Sequence, residues 1–313
     1  MFTKILVPLD GTSEAMAALA PAQTVAVATD AVLCLFQAID SDTTGPDHAL
    51  ATADLEVTAR TLRHEGLRVE TYVRRGEPAA EITLTAAALQ ADLVVMTTHG
   101  RSGLARAFLG SVTQQVLAAS PAPVLLLRPG GHLMTRLDTI LVAVDGSLGG
   151  AHALASAVPL ARSVNARLVL VDVAVPYVSF MTASGSGFGD GSLYFDPDWD
   201  KDGLAAAQLY VSGLAARLQN AGINAEGRAV TGQALQASAS VAEAIMKTAD
   251  HVDADLIVMS THALTGPARA VLGSVADTVV RSSHRAVLLP RRGAPGDATE
   301  AHGADRDTVH AAR

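Results

Sequence analysis

The residues of this sequence best suited to chemistry are Gly100-Arg101-Ser102-Gly103 and, nine intervening residues after Gly100, Gly110-Ser111-Val112. Glycines let a backbone approach an anion closely. The amides of Gly110, Ser111 and Val112, with the Ser111 hydroxyl, would open a helix, and a helix N-terminus attracts negative charge. Such a loop is a phosphate cradle; it is equally a plain glycine-containing turn into a helix, and spacing does not separate the two. Asp10, in Leu9-Asp10-Gly11-Thr12, and Asp145, in Val144-Asp145-Gly146-Ser147, could accept hydrogen bonds from a sugar hydroxyl or an adenine amino group. The same residues suit a strand-to-helix turn or a helix N-cap, and one turn can both cap and bind. His99 and His262 hold matching positions without a nucleophile or an orienting carboxylate beside them, so they are expected to hold a loop or touch a ligand rather than transfer protons. Arg101, Arg106 and Arg269 could reach phosphates, although arginines beside a loop are usually solvated. No G-x-x-x-x-G-K-[ST] occurs, and no GxGxxG follows the first strand, which argues against a Walker-type P-loop and a dinucleotide oxidoreductase.

The elements that must position these groups occur twice. Ile5-Leu6-Val7-Pro8-Leu9-Asp10-Gly11-Thr12 returns as Ile140-Leu141-Val142-Ala143-Val144-Asp145-Gly146-Ser147, and Leu93-Val94-Val95-Met96-Thr97-Thr98-His99-Gly100 returns as Leu256-Ile257-Val258-Met259-Ser260-Thr261-His262-Ala263. Phe108-Leu109-Gly110-Ser111-Val112 returns as Val271-Leu272-Gly273-Ser274-Val275. Repeats of this size are duplicated domains, expected over 1–130 and 136–292. In the first copy, β-rich runs near 4–9, 31–39, 68–74, 92–97 and 123–127 alternate with Ala- and Leu-rich stretches of helical length. In the second, the runs fall near 138–144, 167–175, 225–230, 255–260 and 286–289. This alternation predicts an α/β fold with two tandem five-stranded parallel sheets. Ligands of such sheets sit beyond the C-terminal strand ends, where both repeated motifs fall. The near-continuous apolar run 31–39 marks a strand covered on both faces and makes Cys34 a core residue rather than a redox group.

The second copy carries an insert over 178–202, Gly- and Ser-rich at 184–192 and expected to move. Its Asp198-Trp199-Asp200-Lys201-Asp202-Gly203 opens like a calcium loop, but Leu209 stands where a bidentate Glu is needed. The better reading has these acids capping a helix over 203–220. The polar, aperiodic segment 293–313 reads as a disordered tail.

Composition narrows the functional classes. The 313 residues are 49% hydrophobic, 17% charged and 4% aromatic, which excludes wholesale disorder and calls for cores of small aliphatics. A net charge of −8 argues against broad binding to nucleic acid or an anionic membrane, so any anion must be bound locally. A single cysteine excludes a disulfide scaffold. Pro8 and Asp10 interrupt the apolar N-terminus and no run reaches the length of a membrane span, so a cytoplasmic protein is the expectation.

Taken together, Val7-Pro8-Leu9-Asp10-Gly11-Thr12, Met96-Thr97-Thr98-His99-Gly100-Arg101-Ser102-Gly103-Leu104 and Leu109-Gly110-Ser111-Val112 closely resemble the universal stress protein family, in both copies. The resemblance implies an open α/β sandwich of the adenine-nucleotide α-hydrolase-like type with strand order 3-2-1-4-5. It implies a nucleotide-dependent regulator in the stress response that binds ATP, with Mg²⁺ carried on the phosphates. Asp10 and Asp145 would contact ribose or base, and the backbones of Ala38 and Val173 would meet adenine. Met96, Thr97, Gly100, Gly110, Ser111 and Val112 would line ribose and phosphates, with Pro8, His99, Arg101 and Gly103 completing the set. Met259, Ser260, Ala263, Gly273, Ser274 and Val275 would be weaker counterparts. The family's ATP-binding members carry G-x2-G-x9-G-[ST]; Thr97 replaces the first glycine here, and the second copy has Ser260 and Ala263. A Cβ at Ala263 penalises positive φ by roughly 1 kcal/mol, so the first copy is expected to be the better nucleotide site. The resemblance further implies that the two copies pair through 124–127 and 286–289 as an intrachain pseudo-dimer, that two chains associate, and that an unidentified protein partner reads the state. The alternatives are a nucleotide-free interaction scaffold and, weakest for want of a positioned base or metal carboxylates, a slow ATPase.

Overall fold

The computed structural model describes residues 2–42, 45–98, 109–175, 197–232, 237–261 and 272–290. In the first half, β1 (Lys4–Pro8), β2 (Val32–Ile39), β3 (Val69–Arg75), β4 (Leu93–Thr97) and β5 (Val124–Leu127) alternate with α1 (Ser13–Met16), α2 (Leu19–Thr29), α3 (Gly45–His64), α4 (Pro78–Leu89) and α5 (Ser111–Ala119). In the second, β6 (Thr139–Ala143), β7 (Arg167–Ala174), β8 (Ala225–Thr231), β9 (Leu256–Val258) and β10 (Ala286–Leu289) alternate with α6 (Leu148–Val164), α7 (Pro197–Asn220), α8 (Ala237–His251) and α9 (Ser274–Ser282). Each half has the strand order 3-2-1-4-5, all parallel.

The halves join into one sheet of ten strands, because β5 and β10 pair antiparallel through Leu126 with Val287, Leu125 with Leu288 and Val124 with Leu289. The pairing of these strands foreseen from the sequence is therefore present within the chain, and it consumes the edge each half would otherwise expose.

Alternation along each strand feeds two cores. Ile5, Val7, Leu33 and Leu35 face α2 and α3, while Leu6, Cys34 and Phe36 face α4 and α5. Small residues such as Ala22, Ala26 and Ala59 let the helices lie close to the sheet, which is how a chain poor in aromatics fills its interior. The Cys34 thiol is fully buried in the second of these layers, and burial pushes its pKa up to about 11, consistent with a core role. No helix among the described residues is long and apolar enough to cross a membrane.

One boundary differs from the sequence expectation. Helix α7 begins at Pro197, so Asp198, Asp200 and Asp202 lie inside its first turns rather than ahead of it as caps. The Gly- and Ser-rich stretch 184–192 and the tail 293–313 lie outside the described residues.

An aspartate staples each sheet at the strand entries. The Asp92 carboxylate accepts from the Thr3 amide (2.6 Å), the Thr3 hydroxyl (2.6 Å) and the Lys4 amide (3.0 Å), tying β4 to β1. Asp255 does the same for β9 and β6, accepting from the amides of Asp138 (2.7 Å) and Thr139 (2.9 Å) and from Arg136 of the interdomain segment (3.2 Å). Burial alone would push the Asp92 carboxyl up, but the hydrogen bonds from Thr3 and Lys4 more than offset it and hold the group below its usual range. Its stabilising effect is therefore present above the unfolded value of 3.8 and is lost as pH falls through the lower folded value. Asp92→Asn is expected to lower stability at neutral pH and to shallow the loss of stability on acidification, measured by urea unfolding between neutral pH and pH ~3.

Candidate functional site

The crevice forms where β1, β2 and β4 end. After β1 the chain must turn sharply into α1: Gly11 takes φ +82°, which favours glycine, and Asp10 holds the turn by accepting from the Thr12 amide (3.0 Å) and hydroxyl (2.6 Å). Thr12 in turn caps α1 by accepting from the Ala15 amide (3.2 Å). Asp10 is thus a turn former, with Thr12 as the N-cap, and it also faces the cavity. The second copy repeats the device: Gly146 has φ +71°, Asp145 accepts from the Ser147 amide (3.0 Å) and hydroxyl, and Ser147 caps α6.

After β4 the chain returns to open α5. The Gly110 amide donates to the Thr98 carbonyl (2.9 Å), and the Thr113 hydroxyl donates to the Thr97 carbonyl (3.2 Å), so the start of α5 is fixed against the end of β4. Gly110 is the N-cap and offers no capping side chain, and no acid lies in the first turn. Among the described residues no capping side chain takes the leading amides of α5, which lie at the positive end of the helix dipole.

Between these elements lies a cavity of about 490 Å³, within the range of small-molecule sites. Of the residues singled out in the sequence, it brings together Pro8, Asp10, Ala38, Met96, Thr97, Gly110, Ser111 and Val112. His99, Gly100, Arg101 and Gly103, with Arg106, lie outside the described residues. In the second copy Asp145, Val173, Met259, Ser260, Gly273, Ser274 and Val275 hold the corresponding strand-end and helix-start places, while Ala263 and His262 lie outside. There too the Gly273 amide donates to the carbonyl before it, that of Thr261 (2.6 Å).

Part of the lining was not singled out in the sequence. Helix α3 contributes Asp47, Leu50, Ala51 and Asp54, and the end of β2 contributes Gln37, Ile39 and Asp40. Their spacing of three and four along α3 marks one face, a signal legible in the sequence but shared with any amphipathic helix. Ile82 and Phe36 give the cavity an apolar floor, whereas Asp10, Asp40, Asp47 and Asp54 make its described lining acidic without a lysine or arginine. Leu50, which also lines the cavity, remains 62% exposed.

The sequence matches the universal stress protein family over residues 1–128 and again over 136–291. The chain belongs to this family. A universal stress protein of Thermus aquaticus is 35% identical over 140 residues, all of that protein and 41% of this chain. One from Methanocaldococcus jannaschii is 30% identical over 144 residues, covering 83% of it and 41% of this chain. A crystal structure of a universal stress protein from Archaeoglobus fulgidus covers 93% of this chain and 96% of its own, with a TM-score of 0.66 and 19% identity, a likeness of fold. As a universal stress protein, this chain carries two copies of the family's unit, fused through β5 and β10 into a single sheet.

Proposed function

We propose that the first-copy crevice of this universal stress protein binds an adenine nucleotide, ATP with Mg²⁺, and that the bound state sets the conformation or partner affinity of the two-copy scaffold. The observation that carries this reading is the continuity of the cavity from the apolar strand ends to the open start of α5. Adenine fits between the Ala38 backbone and the apolar residues, the ribose lies within reach of Asp10, and the phosphates meet the amides of Ser111 and Val112. Ligand binding of this kind biases a pre-existing equilibrium and needs no turnover. In this reading the Mg²⁺ is carried by the phosphates themselves.

The four aspartates of the lining give this reading a distinctive ionic requirement. A bare triphosphate brought near Asp10, Asp40, Asp47 and Asp54 is repelled, and a divalent cation on the phosphates removes most of that repulsion. Isothermal titration is expected to show ATP binding about tenfold or more tighter with Mg²⁺ than with chelator, and adenosine binding indifferent to Mg²⁺. Equal ATP affinity in both conditions contradicts this arrangement of charge, and no heat with either ligand favours the nucleotide-free scaffold.

A further inference from the structure

The two copies share a backbone plan but not the side chains over the crevice. Strand register sets the correspondence: Ile5 pairs with Leu33 as Ile140 pairs with Leu168, which places Asp172 where the first copy has Gln37. Leu33 pairs with Val69 as Leu168 pairs with Ala225, and the turns that precede Val69 and Ala225 are closed alike, by Leu67 N–H to the Leu62 carbonyl and Ile223 N–H to the Leu218 carbonyl. Tyr210 on α7 therefore stands where α3 has Asp54.

Helix α7 is drawn onto the sheet edge in a way α3 is not. A Cβ at Gly227 of β8 would come within 2.5 Å of the Val211 carbonyl group, so only glycine permits this approach. Gln208 binds the free edge of β8, donating to the Gly227 carbonyl (3.1 Å) and accepting from the Ala229 amide (2.9 Å). In the first copy these two places are Thr71 and Thr52, and the Thr52 hydroxyl donates within its own helix to the His48 carbonyl (2.8 Å). On α7 the sheet-facing line is Ala207 and Val211, both buried; Gln208 flanks it on the edge side, which puts Tyr210 on the opposite flank, towards the ends of β6 and β7. There the phenol is half-buried against the core. Burial, then the nearby Asp172 carboxylate, push its pKa up, Asp145 adds to this, and the Gly146 amide opposes it. Burial and then Asp145 likewise push the Asp172 carboxyl up.

Resting on the nucleotide reading above, we infer that Tyr210 and Asp172 are the specificity residues that close the second crevice to adenine nucleotide, leaving the first as the single nucleotide site of the chain. The phenol occupies space that a shorter carboxylate leaves open in the first copy. Asp172 sets a carboxylate, which only accepts, beside Asp145 where the first copy presents the Gln37 amide, which can also donate to a ribose hydroxyl.

Equilibrium dialysis against Mg-ATP tests this by counting nucleotide per chain in the wild type and in a variant that moves both residues into the first copy, Gln37→Asp with Asp54→Tyr. Asp54 is exposed and Gln37 only half-buried, so the variant is expected to fold, which its melting curve checks. One nucleotide on the wild type and an affinity about a hundredfold weaker in the variant are the expected results. Two nucleotides on the wild type, or an unchanged affinity in the variant, overturn the inference. None on the wild type overturns the nucleotide reading itself, an outcome distinct from two.

Discussion

Gly110→Asp is expected to leave the fold intact and to abolish binding of Mg-ATP, with affinity weakened by about a hundredfold or more. Gly110 has φ −57° and ψ 147°, a conformation open to any L-residue, and aspartate is among the best N-cap residues. Its carboxylate would occupy the amides at the start of α5 and set a fixed negative charge where the phosphates must lie. Stability is therefore expected to stay within a few tenths of a kcal/mol of the parent or to rise slightly, because replacing an N-cap glycine by aspartate is nearly neutral or favourable. Thermal-shift titration separates the two effects: the parent melts higher with Mg-ATP, whereas the variant melts at its own unliganded temperature whatever the nucleotide concentration. A variant that still gains stability from Mg-ATP places the phosphates elsewhere.

The seam between the copies should show the second large effect. Leu288 and Leu125 face each other across the antiparallel pair of β5 and β10, and both are fully buried. Leu288→Ala removes packing from both halves at once, with little room for the ten-stranded sheet to collapse around the loss, so a cost of about 3 kcal/mol is expected. Val27→Ala, at a position 74% exposed on α2, serves as the comparison and should change stability by less than about 0.5 kcal/mol. Urea unfolding of the two variants measures the contrast. A Leu288→Ala cost no larger than that of Val27→Ala would mean that the seam adds little to stability.

The strands were legible in the sequence because parallel strands covered on both faces read as continuous apolar runs, and nine of the ten fall within about one residue of their expected ends; β9 stops at Val258, two residues short of the foreseen 260. The start of α7 was misplaced because Asp198, Asp200 and Asp202 have the composition of a cap, while the helix itself tolerates acids throughout its first turns. Of the crevice, the residues carrying a backbone signature were found: the Asp10-Gly11 turn, the end of β4, and Gly110 before α5. The α3 face was missed because Asp47, Leu50 and Asp54 are the residue types any solvated helix presents, and only tertiary placement turns that face towards a cavity. The contrast between Gln37 and Asp172, or Asp54 and Tyr210, was hidden for a related reason. The repeats are recognisable at strands one and four, whereas these positions lie on strand two and the following helix, and they align only once the sheet register is known.

The most direct test of the central claim is native mass spectrometry of freshly purified protein, before and after addition of Mg-ATP, alongside Gly110→Asp. One adenine nucleotide per wild-type chain, absent from Gly110→Asp, is the result expected of a universal stress protein whose first crevice is its nucleotide site. An unshifted wild-type mass at millimolar Mg-ATP, or a nucleotide retained by Gly110→Asp, would contradict it.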